Sequence, residues 1–436
     1  MRRLWPFILI LLFGGQAWAG AFDVFGTGPR AIAMGGAYSA IGEDISGLYY
    51  NVGALTQVHR LHAEFGYSYG EPSLTINGVS QDLDQNKGVH YGAIFSTTML
   101  DHRISGGANI FIPDDHVMRF LVLPNNQPHE PLTANANHSV VCLVGGAVEV
   151  FKWMSVGGGI NILGGNKGGI NVTIHENSPS VGGLASQINS LFAPIAGLWF
   201  KPTSWLRIGA GYREKLVMEL DLPNTIRIPP LSGFEGGGVP ILRESELTVL
   251  AYTWSHFSPR AFELGVAAEP TDRLLFSANL TYMQWSAMAT DAPATYVYVT
   301  GGLADIFPTM IGPLPPAPDF HDTLTPSFGF EGRPILDDHW RLDLRAGYRY
   351  RPTPVPDETG YNNYLDSNTH IFSSGIGLTA SQFSEIFPRP LSLDGFVQYQ
   401  YGEPRTYHKS SPTNITGDIK IEQTWWYFGG NLTLRF

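Results

Sequence analysis

The sequence predicts an all-β transmembrane antiparallel β-barrel of about 14 strands, with an N-terminal hatch, or plug, inside the lumen. Three observations support this prediction: an export leader precedes runs of about ten residues with alternating apolar side chains, short and long connections alternate, and the final strand is rich in aromatic residues. Bacterial single-chain barrels have an even number of strands, short periplasmic turns and long outer loops. We therefore expect an integral protein of the bacterial outer membrane.

Residues 1–19 are predicted to be a signal peptide. Arg2-Arg3 precedes an apolar run, Leu4–Phe13, and Ala17–Ala19 provides the small residues of a cleavage site. The run is too short to cross a bilayer as a helix, and no other stretch has eighteen uninterrupted apolar residues. The expected domains are therefore the leader, a hatch over residues 20–58 and a barrel over residues 59–436.

Composition agrees with strands and turns. The 436 residues include 50 Gly, 31 Pro, 25 Phe, 19 Tyr and 10 Trp, and only 15% are charged, against about 25% in soluble proteins. The net charge of −11 argues against a nucleic-acid partner. Cys142 stands alone, so no intramolecular disulfide can form, and we interpret it as inert and outward-facing. The histidines show no metal-ligand spacing; no metal, cofactor or catalytic residue is expected.

The stretch Phe22–Leu55 is predicted to be the compact, irregular hatch. It has neither the period of a strand nor a sustained helical stripe. A glycine-rich strand-and-turn segment is the alternative. Asp44 and Ser46 could cap a short helical turn. Four glycines allow tight packing and positive φ: Gly26, Gly28, Gly35 and Gly36.

The barrel strands are read from alternate apolar positions. The eighth is taken as one bent strand interrupted at Ser258-Pro259, because proline in a ladder is tolerated at a bulge or bend. The predicted strands are Leu61–Tyr69, Gly88–Met99, Arg103–Ile112, Ser139–Val150, Trp153–Leu163, Phe192–Phe200, Trp205–Leu216, Glu246–Glu269, Arg273–Trp285, Thr323–Glu331, Trp340–Tyr350, Thr369–Leu378, Leu391–Tyr401 and Gln423–Phe436.

Connections are short after even strands and long after odd ones. The long loops Gly164–Leu191 and Val217–Ser245 contain many apolar residues, among them Ile226 and Phe234. Apolar residues on water-facing loops indicate either mutual packing or a hydrophobic capture site.

The last strand carries Trp426, Phe428, Leu432, Leu434 and Phe436 on one face. A C-terminal aromatic residue on the lipid face resembles the signal read by the outer-membrane assembly machinery, which is therefore an expected partner. We expect a monomer in contact with membrane lipid and lipopolysaccharide.

The runs Met34–Ala37, Glu43-Asp44 and Tyr50–Leu55 resemble the N-terminal hatch of the FadL family. These are outer-membrane transporters of long-chain fatty acids and other hydrophobic molecules. Val52 stands where that family usually has proline. The resemblance continues in order along the chain at Gly211–Arg213, Tyr282–Ser286, Arg345–Gly347 and Pro354–Asp357.

The resemblance implies passive transport of hydrophobic small molecules, by loop capture, a lumen pocket against the hatch, and lateral exit through the wall. The hatch positions that it implies are Gly35, Gly36, Asn51 and Leu55. The ligand-binding positions are Phe22 and Phe25 near the new N-terminus, and Ile226 and Phe234 in the outer loops. The lateral port falls at Asn109, Phe111 and Pro113 of the third strand; alternatively, Pro113 simply ends that strand.

Arginines on the lumen face are candidates for binding a ligand carboxylate. Arg213 and Arg345 are the choices, because they lie in the family-like runs. The alternative is that both pair with acids of the barrel, such as Asp343 and Glu331.

Two other functions remain open at this point: a barrel that anchors or shuttles exported proteins, as in a related secretion family, and an outer-membrane enzyme that modifies lipids. The cargo of a transporter also remains open among alkanes, aromatics, fatty acids and sterol-like compounds.

Overall fold

The computed structural model describes residues 21–114, 128, 130, 132, 139–173, 181–230, 243–288, 294–307, 309–311, 318–360, 362–382, 389–410 and 417–436. The predicted signal peptide and Phe234 lie outside these residues. No helix within them is long and apolar enough to cross a membrane.

Most of the described chain is strand. The strands are β1 Leu61–Ile76, β2 Val79–Gln81, β3 Asn86–Met99, β4 His102–Pro113, β5 Val141–Phe151, β6 Met154–Thr173, β7 Val181–Phe200, β8 Leu206–Arg213, β9 Leu216–Ile228, β10 Ser245–Ser258, β11 Ala261–Thr271, β12 Leu274–Met283, β13 Ala294–Gly301, β14 Met310–Ile311, β15 Thr323–Leu336, β16 Trp340–Arg351, β17 Thr369–Ala380, β18 Leu391–Gly402, β19 Arg405–Tyr407 and β20 Ile419–Arg435. The helices are α1 Ala21–Phe25, α2 Pro29–Ala33 and α3 Gly47–Tyr50, with 3-10 turns at Val52–Gln57, Trp285–Ala287 and Gly302–Asp305.

Fourteen strands close into one antiparallel ring, which confirms the predicted antiparallel β-barrel of about 14 strands. They are β1, β3 to β8, β11, β12, β15 to β18 and β20. The ring closes where β20 pairs with β1, from His62 opposite Arg435 to Ile76 opposite Ile421. Each predicted strand overlaps a member of this ring, and the bend predicted at Ser258-Pro259 separates β10 from β11.

The prediction of two long outer loops needs correction, because much of their length is strand. The β6–β7 hairpin stays paired out to Thr173 opposite Val181, and β9 and β10 form a second hairpin. The hairpins join where β6 runs parallel to β9, at Ile170–Thr173 and Asn224–Arg227. Pairing satisfies backbone groups that an irregular loop would leave to water.

Side chains alternate between lipid and lumen. The outward positions keep large apolar side chains exposed, as a lipid-facing band requires; examples are Phe65, Phe95, Leu264, Phe328, Phe372 and Trp426. The inward positions carry buried polar side chains such as Ser277, Thr325, Gln398 and Gln400.

Residues 21–58 lie within the ring. Trp199 on β7 donates to the Ala40 carbonyl at 2.9 Å, Arg349 on β16 donates to the Val24 carbonyl at 2.5 Å, and Arg103 on β4 donates to the Thr56 carbonyl at 2.9 Å. These three strands are far apart around the ring. A segment that is bonded to all of them and is almost wholly buried must occupy the lumen.

Glycines let the backbone of this segment touch the wall. A Cβ on Gly347 would lie 2.1 Å from the Gly35 nitrogen, and one on Gly209 would lie 1.9 Å from the Ser39 oxygen. Within the segment Gly35 has φ +66°, a left-handed conformation that favours glycine. The positive φ expected at Gly26, Gly28 and Gly36 is also present.

The prediction that Asp44 and Ser46 cap a short helical turn is only partly right. Ser46 precedes α3, but its hydroxyl makes no capping hydrogen bond. Instead the Ser46 N–H donates to Asp44 Oδ1 at 2.9 Å, so Asp44 orders the turn.

We expect Gly347→Ala to displace residues 21–58 from the wall, because the new methyl group would overlap the backbone at Gly35. Ion conductance in planar bilayers should rise while the barrel stays folded. The matched control is Gly158→Ala, whose nearest neighbouring atom would be 3.9 Å away. Equal conductance of the two variants would contradict the contact's importance.

Candidate functional site

Helix α1 lies inside the lumen, and its two phenylalanines contact different parts of the barrel wall. The Phe22 ring lies 5.8 Å from that of Phe111 on β4, between ring centroids. The Phe25 ring lies 5.1 Å from Trp425 and 4.9 Å from Tyr427, both on β20.

Each phenylalanine belongs to a separate buried apolar cluster, so α1 lies between the two. The Phe22 cluster includes Phe111, Leu143, Leu163, Leu216 and Met218. The Phe25 cluster includes Phe257, Trp285, Met288, Phe320 and Val355.

The wall is closed at the predicted lateral port. Strand β4 pairs with β3 along its whole length and with β5 as far as Phe111, without a register shift. Asn109 and Phe111 are buried, and Pro113 is the last residue of β4. The lateral port therefore stays a prediction that requires β4 to move.

Arg213 lies on the outer side of the N-terminal segment and is already paired. Its guanidinium donates to Glu263 at 2.5 Å and to the Tyr49 carbonyl at 3.1 Å, and lies 3.9 Å above the Tyr49 ring. A role in ligand binding would compete with these contacts.

Arg345 lies at the periplasmic end, within a network of buried ion pairs. It donates to Glu331 at 2.8 Å and to Asp394 at 2.5 Å. Arg30 of α2 donates to the same Glu331 at 2.7 Å, and Glu43 accepts from Arg30 at 2.8 Å. The acid pairing that the sequence left open is thus present for both arginines, and the segment between them prevents them from holding one carboxylate together.

Ion pairs also hold Glu43, a residue of the N-terminal segment, in place. Burial acts to raise the pKa of its carboxyl, but the neighbouring guanidinium groups of Arg30 and Arg207 outweigh burial and hold that pKa well below its ordinary value. Glu43 is therefore ionised and joins the segment to the wall through Arg207 of β8.

Two arginines that the sequence did not select have unfilled donors. Arg349 donates to the Val24 carbonyl, and its Nε has no hydrogen-bond partner. Arg351 donates to Thr369 at 3.1 Å and lies 3.6 Å from Asp366, while its Nε and Nη1 have none. Among the described residues no carboxylate lies within ion-pair distance of Arg349.

These two arginines line a small cavity of about 30 Å³ on the outer side of α1. Its wall also includes Val24, Met283 and Trp285 and the ion-paired Asp23, Arg213 and Glu263, so charged and apolar groups meet there. The available sequence signal was spacing: residues 345, 347, 349 and 351 share one face of β16.

The predicted hatch positions have defined contacts. Asn51 donates to the carbonyls of Ser39 at 2.7 Å and Leu198 at 2.8 Å, and its Oδ1 accepts from the Gly53 N–H at 3.0 Å. Leu55 is fully buried. Val52 begins the 3-10 turn, and a first helical position accepts proline readily, so valine there leaves the turn intact.

In the outer hairpins, Ile226 lies on β9 opposite Leu247 of β10, beside the parallel pairing with Val172. It is half-buried. Across the part of the chain that the structure covers, no cluster of three or more His, Cys, Asp or Glu side chains could hold a metal ion.

Comparison with known proteins agrees with this geometry. The sequence profile of the family described as "Outer membrane protein transport protein (OMPP1/FadL/TodX)" matches residues 192–403. Over these residues the chain is similar to that family. A curated relative is alkane uptake protein A of Marinobacter nauticus, 20% identical over 94% of this chain and 90% of the relative.

Solved structures share the fold of this chain. A Pseudomonas aeruginosa FadL homologue has a TM-score of 0.59 at 16% identity, over 97% of this chain and all of that one. The Ralstonia pickettii toluene transporter TbuX has a TM-score of 0.55 at 16% identity, over 95% of this chain and all of that one. At these identities the likeness concerns the fold.

We expect Arg30→Gln to destabilise the folded protein by about 2 kcal/mol, because it removes the hydrogen bonds of the Arg30 guanidinium to the buried Glu331 carboxylate, which keeps its other arginine partners. Urea unfolding in detergent would measure the change. The control is Arg227→Gln, which breaks an exposed pair with Glu246 and should cost less than about 1 kcal/mol. Similar losses in both variants would argue against the buried network.

Proposed function

We propose that this protein passes hydrophobic small molecules across the bacterial outer membrane without an energy source or a catalytic step. One observation carries the proposal: a closed ring with an apolar outer band encloses two apolar clusters that meet at α1. The name of the curated relative, alkane uptake protein A, and the description of TbuX as a toluene transporter agree with such cargo.

In this proposal the outer hairpins capture the cargo. The β6–β7 and β9–β10 hairpins stand beyond the barrel and meet edge to edge, and apolar residues such as Ile226 lie along them. The cargo then moves inward to α1, where Phe22 and Phe25 occupy the space between the two clusters.

Displacement of α1 is the gating step that we propose. Its polar contacts with side chains of the rest of the described chain involve three residues. Asp23 accepts from Tyr49 at 2.8 Å and from Ser258 and lies 3.9 Å from Arg213, the Val24 carbonyl accepts from Arg349, and the Phe25 carbonyl accepts from Gln398 at 3.5 Å. If α1 moves, Phe22 leaves the face of Phe111, and a path opens toward β4. Residues 21–58 act in this sense as the hatch.

We further propose that Arg349 binds the polar head of amphipathic cargo, in preference to Arg213 and Arg345. The latter two already bind carboxylates of the protein, whereas Arg349 is a half-buried cation whose Nε is buried without a hydrogen-bond partner. A partly desolvated charge without an ion-pair partner is costly, and a ligand carboxylate would relieve that cost.

One contact could support the alternative that the protein is an enzyme. Ser68 Oγ lies 2.8 Å from His90 Nε2, but His90 Nδ1 has no hydrogen-bond partner to orient the ring. We therefore favour a conduit over a hydrolase.

We predict that Arg349→Gln weakens binding of a long-chain fatty acid about tenfold or more, the loss expected for a charge-assisted hydrogen bond. Binding of an alkane of the same chain length should change less than about twofold, because it makes no such bond. Tryptophan fluorescence titration in detergent would measure both. The control is Arg243→Gln, an exposed arginine paired with Asp305. Equal losses of affinity for the fatty acid and for the alkane would contradict the proposed role of Arg349 in binding the head group.

A second prediction concerns the exit. In a Cys142→Ser background, Tyr91→Cys with Ile110→Cys places two cysteines directly opposite on β3 and β4. Oxidation should lock β4 and lower uptake of labelled cargo, and a reductant should restore it. The same pair of changes at Leu344 and Ile376, opposed on β16 and β17, is the control. Unchanged uptake with a formed β3–β4 disulfide would exclude exit through a moving β4.

A further inference from the structure

We propose that the cavity at the periplasmic end of the lumen is a binding site for a small polar anion bearing a carboxylate or phosphate group. The cavity has a volume of about 600 Å³. It lies under the N-terminal segment and reaches the C-terminal residue Phe436, on the opposite side of that segment from α1. It is therefore separate from the hydrophobic route.

The charge of the wall favours an anion. Eight Arg or Lys side chains line the cavity against five Asp or Glu side chains and the C-terminal carboxylate, whereas the whole chain has a net charge of −11. Glu43, Asp343 and Asp394 are each held by arginines. Asp44 and Glu64 are held by neutral donors: the Tyr38 hydroxyl at 2.6 Å and the Asn431 amide at 2.7 Å.

Arg435 is the centre of the proposed site. Its guanidinium makes no ion pair with any described residue, and its side chain donates only to the Ser392 hydroxyl. It is half-buried, and the carboxylates that act on it, those of Asp394 and Glu64, lie beyond ion-pair distance and are bound by Arg345 and Asn431. Arg389 and Lys201 stand on the same wall.

Two buried polar side chains of the wall also lack partners. His62 is 7% exposed and its Nδ1 has no hydrogen-bond partner; Ser46 is 1% exposed and its hydroxyl has none. Both groups can donate a hydrogen bond to an anion. Buried polar groups are rarely left unsatisfied, so unfilled donors beside an unpaired arginine indicate a ligand.

Size points to a small molecule as the occupant. A volume of about 600 Å³ falls within the range of about 300–1,000 Å³ that small-molecule pockets occupy. An acidic segment of a periplasmic protein is the other candidate for this charge, and the experiment separates the two.

The test uses the full mature chain in detergent micelles. Inorganic phosphate and a short dicarboxylate are titrated separately by isothermal titration calorimetry. We expect saturable binding of at least one of them, weakened about tenfold or more by Arg435→Gln. His62→Leu should weaken it as well. Arg273→Gln is the control, because Arg273 is an exposed arginine on a periplasmic turn outside the cavity and should leave binding unchanged.

Heat-dependent mobility on gels verifies that each variant is a folded barrel, and Arg389→Gln, an exposed position, replaces Arg435→Gln if that variant does not fold. The proposal is overturned if wild-type protein binds neither anion, or if Arg273→Gln weakens binding as much as Arg435→Gln. Binding of an acidic peptide alone also overturns it. Failure here leaves hydrophobic transport untouched, because fatty-acid binding at Arg349 is measured independently.

Discussion

Closure of the ring by the ladder between β20 and β1 is the constraint on which the rest of the structure depends. In a lipid environment an open sheet edge would leave backbone groups without partners, so the last strand must meet the first. Closure of fourteen strands produces a lumen that is too wide for strand side chains alone to fill. Residues 21–58 occupy that lumen, and their buried backbone must in turn find partners on the wall.

The strands on the two sides of the lumen differ in the partners that they provide. Along β7, β8 and β16 inward-facing glycines bring the backbone of residues 21–58 into direct contact with the strands, as at Gly209 and Gly347. Along β1, β3, β4 and β20 the wall is polar and incompletely satisfied: Asn109, His90 and Asn431 each keep a buried atom without a hydrogen bond. The segment is thus fitted tightly on one side and more loosely on the side where α1 faces β4. That asymmetry favours separation of α1 from β4 over separation of the segment from β7, β8 and β16.

Much of the fold could be predicted from the sequence because a strand's period of two is read locally, and parity of loop length reports topology. The positive φ at Gly35 and Gly36 was predictable for the same local reason. The outer hairpins were not, because pairing of β6 with β9 joins residues more than fifty positions apart. The site was harder still: Arg213, Arg345 and Arg349 all face inward by parity, but only tertiary contacts reveal which of them meets an acid.

The distribution of counter-charges therefore divides the lumen by function. Arg345 and Arg30 share the buried Glu331, which also pairs with Arg333 and Arg341, and through Arg30 this network joins residues 21–58 to β15 and β16. Arg349 lacks such an acid and instead binds a carbonyl of α1, the element that must move. A cargo carboxylate would compete with Val24 for Arg349 and so weaken the hold on α1 as it binds. Amphipathic cargo could in this way release its own gate, whereas a pure hydrocarbon must displace Phe22 and Phe25 by apolar contact alone.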